Sequence, residues 1–403
     1  MNIILFDGLE WSQLLPLTYT RPVADLRLGI MTIAEKWERA FDKKISFITK
    51  DYLSKKYAPV IEDDNLLING ALLPNLKTKE LLVNLEPEEM LLWRNHVIGV
   101  RTKKPDITGI REGKFERFKI KDISEYDFID KVDHLWQLFQ KNEEQLHFDF
   151  DILTLNKKSQ VLSPTNTILG DVENIFVSPG AKIEAAIIDS RNAKIFIGEN
   201  AEIMPGTMIK GSLYLGANAV IKMGAKIYGA TSIGQYCKVG GEINNTVFHS
   251  YSNKAHDGFL GNAVIGQWCN IGADTNNSNL KNNYAEVKIW NYPEERFVNT
   301  GTQFCGLFMG DHSKTGINTM FNTGTVVGVS ANIFGAGFPR TFIPSFAWGG
   351  NHGFTTFRIE KALETAAAMM KRRNIELTAQ DIDILTYIYE YSRKYRAWEK
   401  AKK

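Results

Sequence analysis

The sequence lacks the features that mark several protein classes. Three cysteines occur among 403 residues, Cys237, Cys269 and Cys305, and they form no C-x-x-C pair. Their number and spacing indicate neither a disulfide framework nor a zinc site. There is no apolar run of about eighteen residues that would predict a membrane-spanning helix, and the first residues lack the basic segment and apolar core of a secretory signal. We therefore expect a cytoplasmic protein with no membrane partner.

A strong excess of charge of one sign is also lacking. The chain has 48 basic and 46 acidic residues, which gives a net charge of +2. Nucleic acid as a general partner is therefore excluded, and any phosphate ligand has to meet a local cluster of cations. Hydrophobic residues make up 44% and charged residues 23% of the 403 positions, so the composition predicts a globular protein with room for more than one domain.

What the sequence does contain is a repeat of six residues. Aliphatic residues occupy eight successive positions at this spacing: Ile197, Ile203, Ile209, Leu215, Ile221, Ile227, Ile233 and Val239. The spacing does not fit an α-helix or a long amphipathic strand, but it fits short strands joined by tight turns, with one aliphatic side chain per turn pointing inward. Three such hexads form one triangular coil, and coils stack through parallel backbone ladders.

This pattern resembles the left-handed parallel β-helix of the hexapeptide-repeat transferases. The resemblance implies an all-β left-handed β-helix over residues 155–345 that carries an acyltransferase. Some members of that class are carbonic anhydrases with a histidine-bound zinc, but His249, His256 and His312 have no metal-ligand spacing in this chain. The zinc enzyme is therefore disfavoured.

The hexad rhythm breaks after Val239 and again after Ile271, and insertions in a solenoid commonly build its site. The first break contains His256, within the segment SNKAHDGFLG of residues 252–261. A histidine with a pKa near 6.5 can take a proton from an amine that attacks a thioester. The alternative interpretation is a loop histidine bonded to the backbone, beside an asparagine-rich turn at 276–283.

These two breaks resemble the acetyltransferase half of the bifunctional N-acetylglucosamine-1-phosphate uridyltransferase and glucosamine-1-phosphate acetyltransferase family. The match lies in the lysine, histidine and Leu-Gly of residues 252–261, and in the NIGA segment of residues 270–273 with the asparagine loop that follows. The resemblance implies His256 as the catalytic general base and Asn270, Asn279, Lys254 and Lys288 as substrate-binding residues. It also implies acetyl-CoA or another acyl-CoA as donor, and a homotrimer.

Departures from the family pattern leave the acceptor open. Phe259 stands where the family usually has tyrosine, and Asn244 and Ala285 stand where relatives often have lysine. An amino sugar or its phosphate is the expected class of acceptor, but the particular sugar does not follow.

Residues 1–122 are predicted to form an α/β domain with a mostly parallel sheet. Buried-strand patterns cover residues 2–6, 44–48 and 66–68, and an amphipathic helix is predicted over 31–41. Strands that alternate with helices favour a site at the carboxyl ends of the strands.

The segment LLPLTYTRP at residues 14–22 resembles the opening of the sugar-1-phosphate nucleotidyltransferases. Joined to a β-helix, such a domain is also the layout of the bifunctional family. The resemblance implies a nucleoside triphosphate and a sugar phosphate as substrates and Mg²⁺ as cofactor. The metal ligands stay unknown, and Asp7 or Asp25 is the available substitute for the family's aspartate. Gly8, Arg21 and Arg27 are the candidate residues for binding nucleotide or phosphate.

Three positions of the family's catalytic pattern are altered. Gln13 replaces an arginine, Val23 replaces a lysine, and Ala71 replaces the aspartate that holds magnesium. Two hypotheses therefore stay open. Either the N-terminal domain transfers a nucleotidyl group, or it is non-catalytic and the chain is a trimeric scaffold that only binds nucleotide or sugar phosphate.

Helices are predicted between and after these domains. Apolar residues at helical spacing between Phe128 and Phe139 predict a connecting amphipathic helix within residues 123–154. Residues 346–403 are predicted to be a helical tail, with one helix over 358–373 and a second that begins at Thr378.

Overall fold

The structure is a computed structural model in which residues 1–400 are described. The chain divides into two compact units. The first comprises residues 1–26 and 31–135, and the second comprises residues 27–30 and the chain from Trp136 onward. Within residues 1–400, no helix combines the length and apolar character that crossing a membrane requires.

The first unit contains a mixed six-stranded sheet with strand order β2-β1-β3-β5-β4-β6. Strand β1 is parallel to β2 and β3, β4 is parallel to β6, and β5 runs antiparallel to both β3 and β4. The strands are β1 Asn2–Phe6, β2 Ser46–Ile48, β3 Asn65–Asn69, β4 Glu89–Trp93, β5 His96–Thr102 and β6 Lys119–Asp122. The predicted α/β domain with a mostly parallel sheet is confirmed.

Helices connect these strands. They are α1 Glu10–Gln13, α2 Ile33–Phe41, α3 Leu76–Val83 and α4 Ile107–Arg111, with 3₁₀ turns at Leu17–Thr20, Val23–Asp25 and Asp51–Leu53. Helix α2 begins after Thr32, whose hydroxyl accepts from Glu35 N while the Glu35 carboxylate accepts from Thr32 N. This capping box satisfies two amide donors at the helix start.

The second unit is a parallel β-helix with three faces. The first face consists of Ile175–Val177, Ile195–Ile197, Leu213–Leu215, Thr231–Ile233, Val247–Phe248, Val264–Ile265, Leu307–Met309, Thr325–Val327 and Phe342–Ile343. The second face consists of Thr167–Leu169, Ile187–Asp189, Met208–Lys210, Lys226–Tyr228, Glu242–Asn244 and Phe259–Gly261, followed by the pair Asn276–Asn277 and Met320–Phe321.

The third face consists of Lys182–Ile183, Glu202–Ile203, Val220–Ile221, Lys238–Val239 and Asn253–Lys254, and then of Lys314–Thr315, Asn332–Ile333, Ala347–Gly350 and the antiparallel Gly353–Thr356. Asn270 joins the two parts of this face, because it bridges in parallel to both Asn253 and Lys314. A separate antiparallel hairpin, Lys288–Asn291 with Arg296–Asn299, lies in an insertion between the coil strands Asn276–Asn277 and Leu307–Met309.

The eight aliphatic residues of the six-residue repeat are all buried in one core cluster, each no more than 3% exposed. Their side chains fill the interior of the triangular coil, as the spacing predicts. The predicted left-handed parallel β-helix is thus confirmed as the fold of this part of the chain.

Short helices precede and follow the β-helix. They are α5 Gln137–Gln140, α6 Asn142–Thr154, α7 Ile359–Lys371, α8 Ala379–Tyr391 and α9 Ala397–Lys400, with 3₁₀ turns at Val172–Asn174 and Ser392–Tyr395. The predicted start of α8 is confirmed, since Thr378 caps it and forms a capping box with Asp381.

The predicted connecting helix is wrong over its first half. Residues 128–136 are not helical, and helix begins only at Gln137. The segment is instead extended and forms backbone hydrogen bonds with residues 71–73. Leu73 N donates to Asp130 O, and Val132 N donates to Ala71 O. The apolar side chains that gave the helical spacing, such as Ile129 and Val132, are buried on this extended segment.

The column of inward aliphatic residues should dominate the stability of the β-helix. Ile221→Ala, at a side chain that is 0% exposed, should lower the free energy of unfolding by about 2–5 kcal/mol because it leaves a cavity. Met223→Ala in the same coil, at a side chain that is 72% exposed, should change it by less than about 0.5 kcal/mol. Urea unfolding followed by circular dichroism measures both, and equal losses would contradict the packing described.

Candidate active site

A cavity of about 640 Å³ opens on the third face of the β-helix. One wall is a ladder of outward-pointing residues on successive coils: Lys238, Asn253, Asn270 and Lys314. The opposite wall is the C-terminal end of α7, with Ala368 and Met369, and the two residues directly after the helix, Arg372 and Arg373. We refer to it below as the third-face cavity.

His256 lies in the third-face cavity, just after the strand Asn253–Lys254. Its side chain is exposed, and within the described residues no group forms a hydrogen bond with the imidazole. Asn270 lines the same cavity with an exposed amide, while its backbone is held by Ser313 and Thr315. The two predicted residues are therefore brought to one place with their polar groups available to a ligand.

Lys254 does not lie in the cavity, and its predicted role as a substrate contact is corrected. Strand residues alternate in direction, so Asn253 points outward while Lys254 pairs with inward Val239 and is 1% exposed. Its ammonium donates to the carbonyl oxygens of Gly240 at 3.2 Å, His256 at 2.8 Å and Asp257 at 3.2 Å. Lys254 thus ties the backbone of the His256 loop to the preceding coil.

The third-face cavity is strongly electropositive. Lys238, Lys314, Arg372 and Arg373 line it, and none of its lining residues is acidic. Burial lowers the pKa of Lys314 to about 8, although its ammonium donates to His312 O at 2.8 Å. Burial and the positive charges of Arg373, Lys222 and Arg372 lower the pKa of Lys238. Such mutual repulsion between cations favours an anionic ligand between them.

A stack of aromatic rings stiffens the edge of this cavity. Tyr236, Tyr251, Trp268 and His312 occupy the same corner of successive coils, each with φ between 59° and 66°. Their ring centroids are 5.4, 4.3 and 6.4 Å apart along the stack. Stacking of neighbouring rings helps hold residues that are not glycine in this left-handed conformation. His312 is therefore part of the framework rather than of the cavity lining.

Asn279 and Lys288 are placed elsewhere on the chain. Asn279 Nδ2 donates to Asn262 Oδ1 at 2.8 Å, and Lys288 is exposed on the hairpin of the insertion. Neither of them lines the third-face cavity. In a single chain, the structure therefore brings together His256 and Asn270 but not Asn279 and Lys288.

Sequence reasoning missed the four cations of the cavity. Lys238 and Lys314 directly precede inward positions of the third face, so the six-residue register carries a signal for their outward direction. Arg372 and Arg373 carry no such signal. They reach the cavity only because α7 packs over the third face, and Arg373 Nη2 donates to Tyr236 O at 3.2 Å.

The candidate phosphate-binding residues of the N-terminal region are mostly committed to internal contacts. Gly8 precedes α1, and a Cβ there would come within 2.4 Å of Glu10 Oε2. Arg21 is 2% exposed and lies 3.9 Å from Asp25. Arg27 belongs to the second unit, where its guanidinium lies 5.2 Å from the centre of the Tyr214 ring. Arg21 and Arg27 offer little surface to a nucleotide.

Magnesium, which the resemblance implies, requires carboxylate oxygens at open positions. Ala71 offers no ligand, and Asn69 Oδ1 accepts from Ala71 N at 2.9 Å. The oxygens of Asp7 accept from Val23 N and from the Thr49 hydroxyl. Glu10 forms a buried ion pair with Lys131. These residues do not fit a magnesium ion at the end of β3.

The buried ammonium of Lys254 should make stability depend on pH. Burial lowers its pKa from the ordinary 10.5 to about 8, against the opposing charges of Asp257 and Asp274. Between these values the unfolded chain binds more protons than the folded one, so the free energy of unfolding should rise with pH across this interval. The difference between wild type and Lys254→Met should grow by about 1–3 kcal/mol from pH 8 to pH 10.5 in urea unfolding. Lys226→Met, at an exposed lysine, should show no such growth.

The chain is similar in sequence to known proteins over part of its length. Residues 3–158 match the family described as sugar nucleotidyl transferase. A bifunctional sugar-1-phosphate nucleotidylyltransferase/acetyltransferase of Sulfurisphaera tokodaii is 33% identical over 143 residues. That match spans 35% of this chain and 35% of the relative, about a third of each.

Solved structures resemble the chain at low sequence identity. The polySia-specific acetyltransferase NeuO is 12% identical, with 52% of this chain and 100% of that chain covered and a TM-score of 0.27. A UDP-N-acetylglucosamine acyltransferase of Arabidopsis is 14% identical, with 53% and 80% covered and a TM-score of 0.23. The strand pairing described above, not these superpositions, carries the fold assignment. For residues 3–158, the resemblance to sugar nucleotidyl transferases found in the sequence is confirmed.

Proposed function

We propose that the β-helix transfers an acetyl or other acyl group from acyl-CoA to the amine of an amino sugar or its phosphate. The observation that carries this proposal is the third-face cavity, where the imidazole of His256 is available beside Asn270 and four cations. A base, an amide and positive charge in a cavity with no acidic lining residue suit an amine acceptor that also bears phosphate.

The chemistry needs a base at the attacking amine. As the amine nitrogen bonds to the thioester carbonyl carbon, His256 accepts the proton that the nitrogen loses. The C–S bond then breaks, and the thiolate of coenzyme A takes that proton from the imidazolium. The Asn270 amide is available to orient the sugar or the reacting carbonyl. Lys254 acts as a positioning residue, because it holds the carbonyls of the loop that carries His256.

We assign the four cations of the cavity to the binding of a phosphate group on the substrate. Lys238 and Lys314 come from the third face, and Arg372 and Arg373 come from α7. Burial and, after it, repulsion from nearby cations lower the pKa of Lys238, and a phosphate placed between these walls relieves the repulsion. In this proposal the end of α7 and the two arginines that follow it form part of the substrate site.

For the N-terminal region we propose nucleotidyl transfer from a nucleoside triphosphate to a sugar 1-phosphate. The match of residues 3–158 to sugar nucleotidyl transferases supports it. Pyrophosphate release from UTP or dTTP with a hexose 1-phosphate tests it. Absence of release with every pair would favour the alternative, a non-catalytic domain that only binds nucleotide or sugar phosphate.

We also propose a homotrimer, the assembly implied by the β-helix resemblance. Asn279 and Lys288 lie outside the cavity of their own chain, and a neighbouring copy offers them a role at its cavity. If so, inactive His256→Ala and Asn279→Ala proteins should regain activity when they are unfolded and refolded together. Light scattering measures the assembly, and a monomer would contradict this arrangement.

His256→Ala should lower the rate of acyl transfer by about 10²–10⁴-fold, because the variant loses the general base. The assay follows the free thiol released from acetyl-CoA with a panel of amino-sugar phosphates. His352→Ala, at an exposed histidine outside the cavity, is the matched control and should keep full activity. Unchanged turnover in His256→Ala would remove the assigned base. No thiol release by wild type with any acceptor would favour the scaffold hypothesis.

Arg373→Ala should raise the KM for a phosphorylated acceptor by about 10–100-fold with little change in kcat, because a hydrogen bond between charged groups is lost. An acceptor without phosphate should show no change. Arg358→Ala, at the exposed start of α7, is the control for the helix itself. Equal effects on both acceptors would exclude a phosphate contact.

A further inference from the structure

The first unit contains a lysine ammonium enclosed by three potential metal ligands. Lys131 Nζ forms a buried ion pair with Glu10 Oε1 and lies 2.8 Å from both Asp133 Oδ1 and His96 Nδ1. The ligand atoms of Glu10, His96 and Asp133 all lie within 4.8 Å of one another. Lys131 itself is 4% exposed.

The cluster lies at the edge of the sheet where α/β proteins commonly bind ligands. Glu10 opens α1, a few residues after β1 ends at Phe6. Asn69, the last residue of β3, reaches Glu10 Oε2 with its Nδ2 at 3.4 Å. Lys131 is held beside β3 by its bridge to Leu72. The carboxyl ends of two neighbouring parallel strands therefore meet at this ammonium.

The donor set is suited to a divalent cation. Two carboxylates and an imidazole are common ligands of zinc and related metals. In this chain their shared centre is already taken by a positive charge, and a second cation within a few ångströms would be strongly repelled in a buried site. The Glu10 carboxylate is 2% exposed and is paired with the Lys131 ammonium.

We propose that Lys131 is the resident cation of the N-terminal domain and replaces a divalent metal at the ends of β1 and β3. The positive charge at this edge of the sheet is then covalently attached, and its presence does not depend on the concentration of free metal. An anionic ligand that binds at this edge of the sheet is then attracted by the Lys131 ammonium and not by a metal ion held by Glu10, His96 and Asp133. The inference is independent of acyl transfer at His256.

Removing the ammonium should uncover the metal site. Lys131→Ala should bind one Co²⁺ per chain with visible absorption bands, whereas wild type should show none. The double variant Lys131→Ala with Glu10→Gln should lose the bands, which assigns them to this cluster. The matched control is Lys119→Ala, which removes an exposed lysine of the same unit that pairs with Glu89; it should resemble wild type.

Two results would overturn the proposal: Co²⁺ bands in wild type that Glu10→Gln removes, or a folded Lys131→Ala that binds no Co²⁺. If Lys131→Ala does not fold, wild type alone decides the question. Its His96 ring signals, identified by their absence in His96→Gln, should stay sharp when Mn²⁺ is added. Selective broadening of these signals would place a metal at the cluster and refute the replacement.

Discussion

The β-helix depends on one constraint, the burial of an aliphatic side chain at every sixth residue inside a triangular coil. Each inward residue lies above its counterpart in the next coil, so one continuous column stabilises all three faces at once. Parallel backbone ladders fix the spacing of the coils. Outward residues on one face therefore form ladders of their own, and the ladder Lys238, Asn253, Asn270 and Lys314 is the wall of the candidate active site.

The same constraint explains what the sequence could and could not predict. The column was predictable because residue type alone marks the inward positions, from Ile197 to Val239. His256 and Asn270 could be singled out because they interrupt or follow that rhythm. The direction of Lys254 was missed, since a lysine at an inward position is unexpected until the pairing with Val239 is known. Arg372 and Arg373 were missed because only tertiary packing brings α7 to the third face.

The connecting segment shows a second limit of sequence patterns. Apolar residues three apart, as at Ile129, Val132 and Leu135, satisfy the helical period over a short stretch. In the structure these side chains are buried from an extended segment whose hydrogen bonds run to residues 71–73. A pattern of three apolar residues does not distinguish a helix from an extended segment. The eight aliphatic residues of the six-residue repeat, in contrast, identify the β-helix. Two buried lysines illustrate a related principle. Lys254 donates to backbone carbonyls and Lys131 pairs with side chains, so neither buried ammonium lacks hydrogen-bond acceptors.

The insertion between Asn277 and Leu307 leaves the coil after a strand of the second face and re-enters it at a strand of the first face. Its two ends are held together by the hydrogen bond that Cys305 N donates to Asn279 O. The entropy cost of closing such a loop grows only slowly with its length. Evolution can therefore lengthen, shorten or exchange this insertion without disturbing the column or the position of His256. The fold thus separates a constant frame, which carries His256, from a replaceable insertion, so that a new insertion does not require a new scaffold.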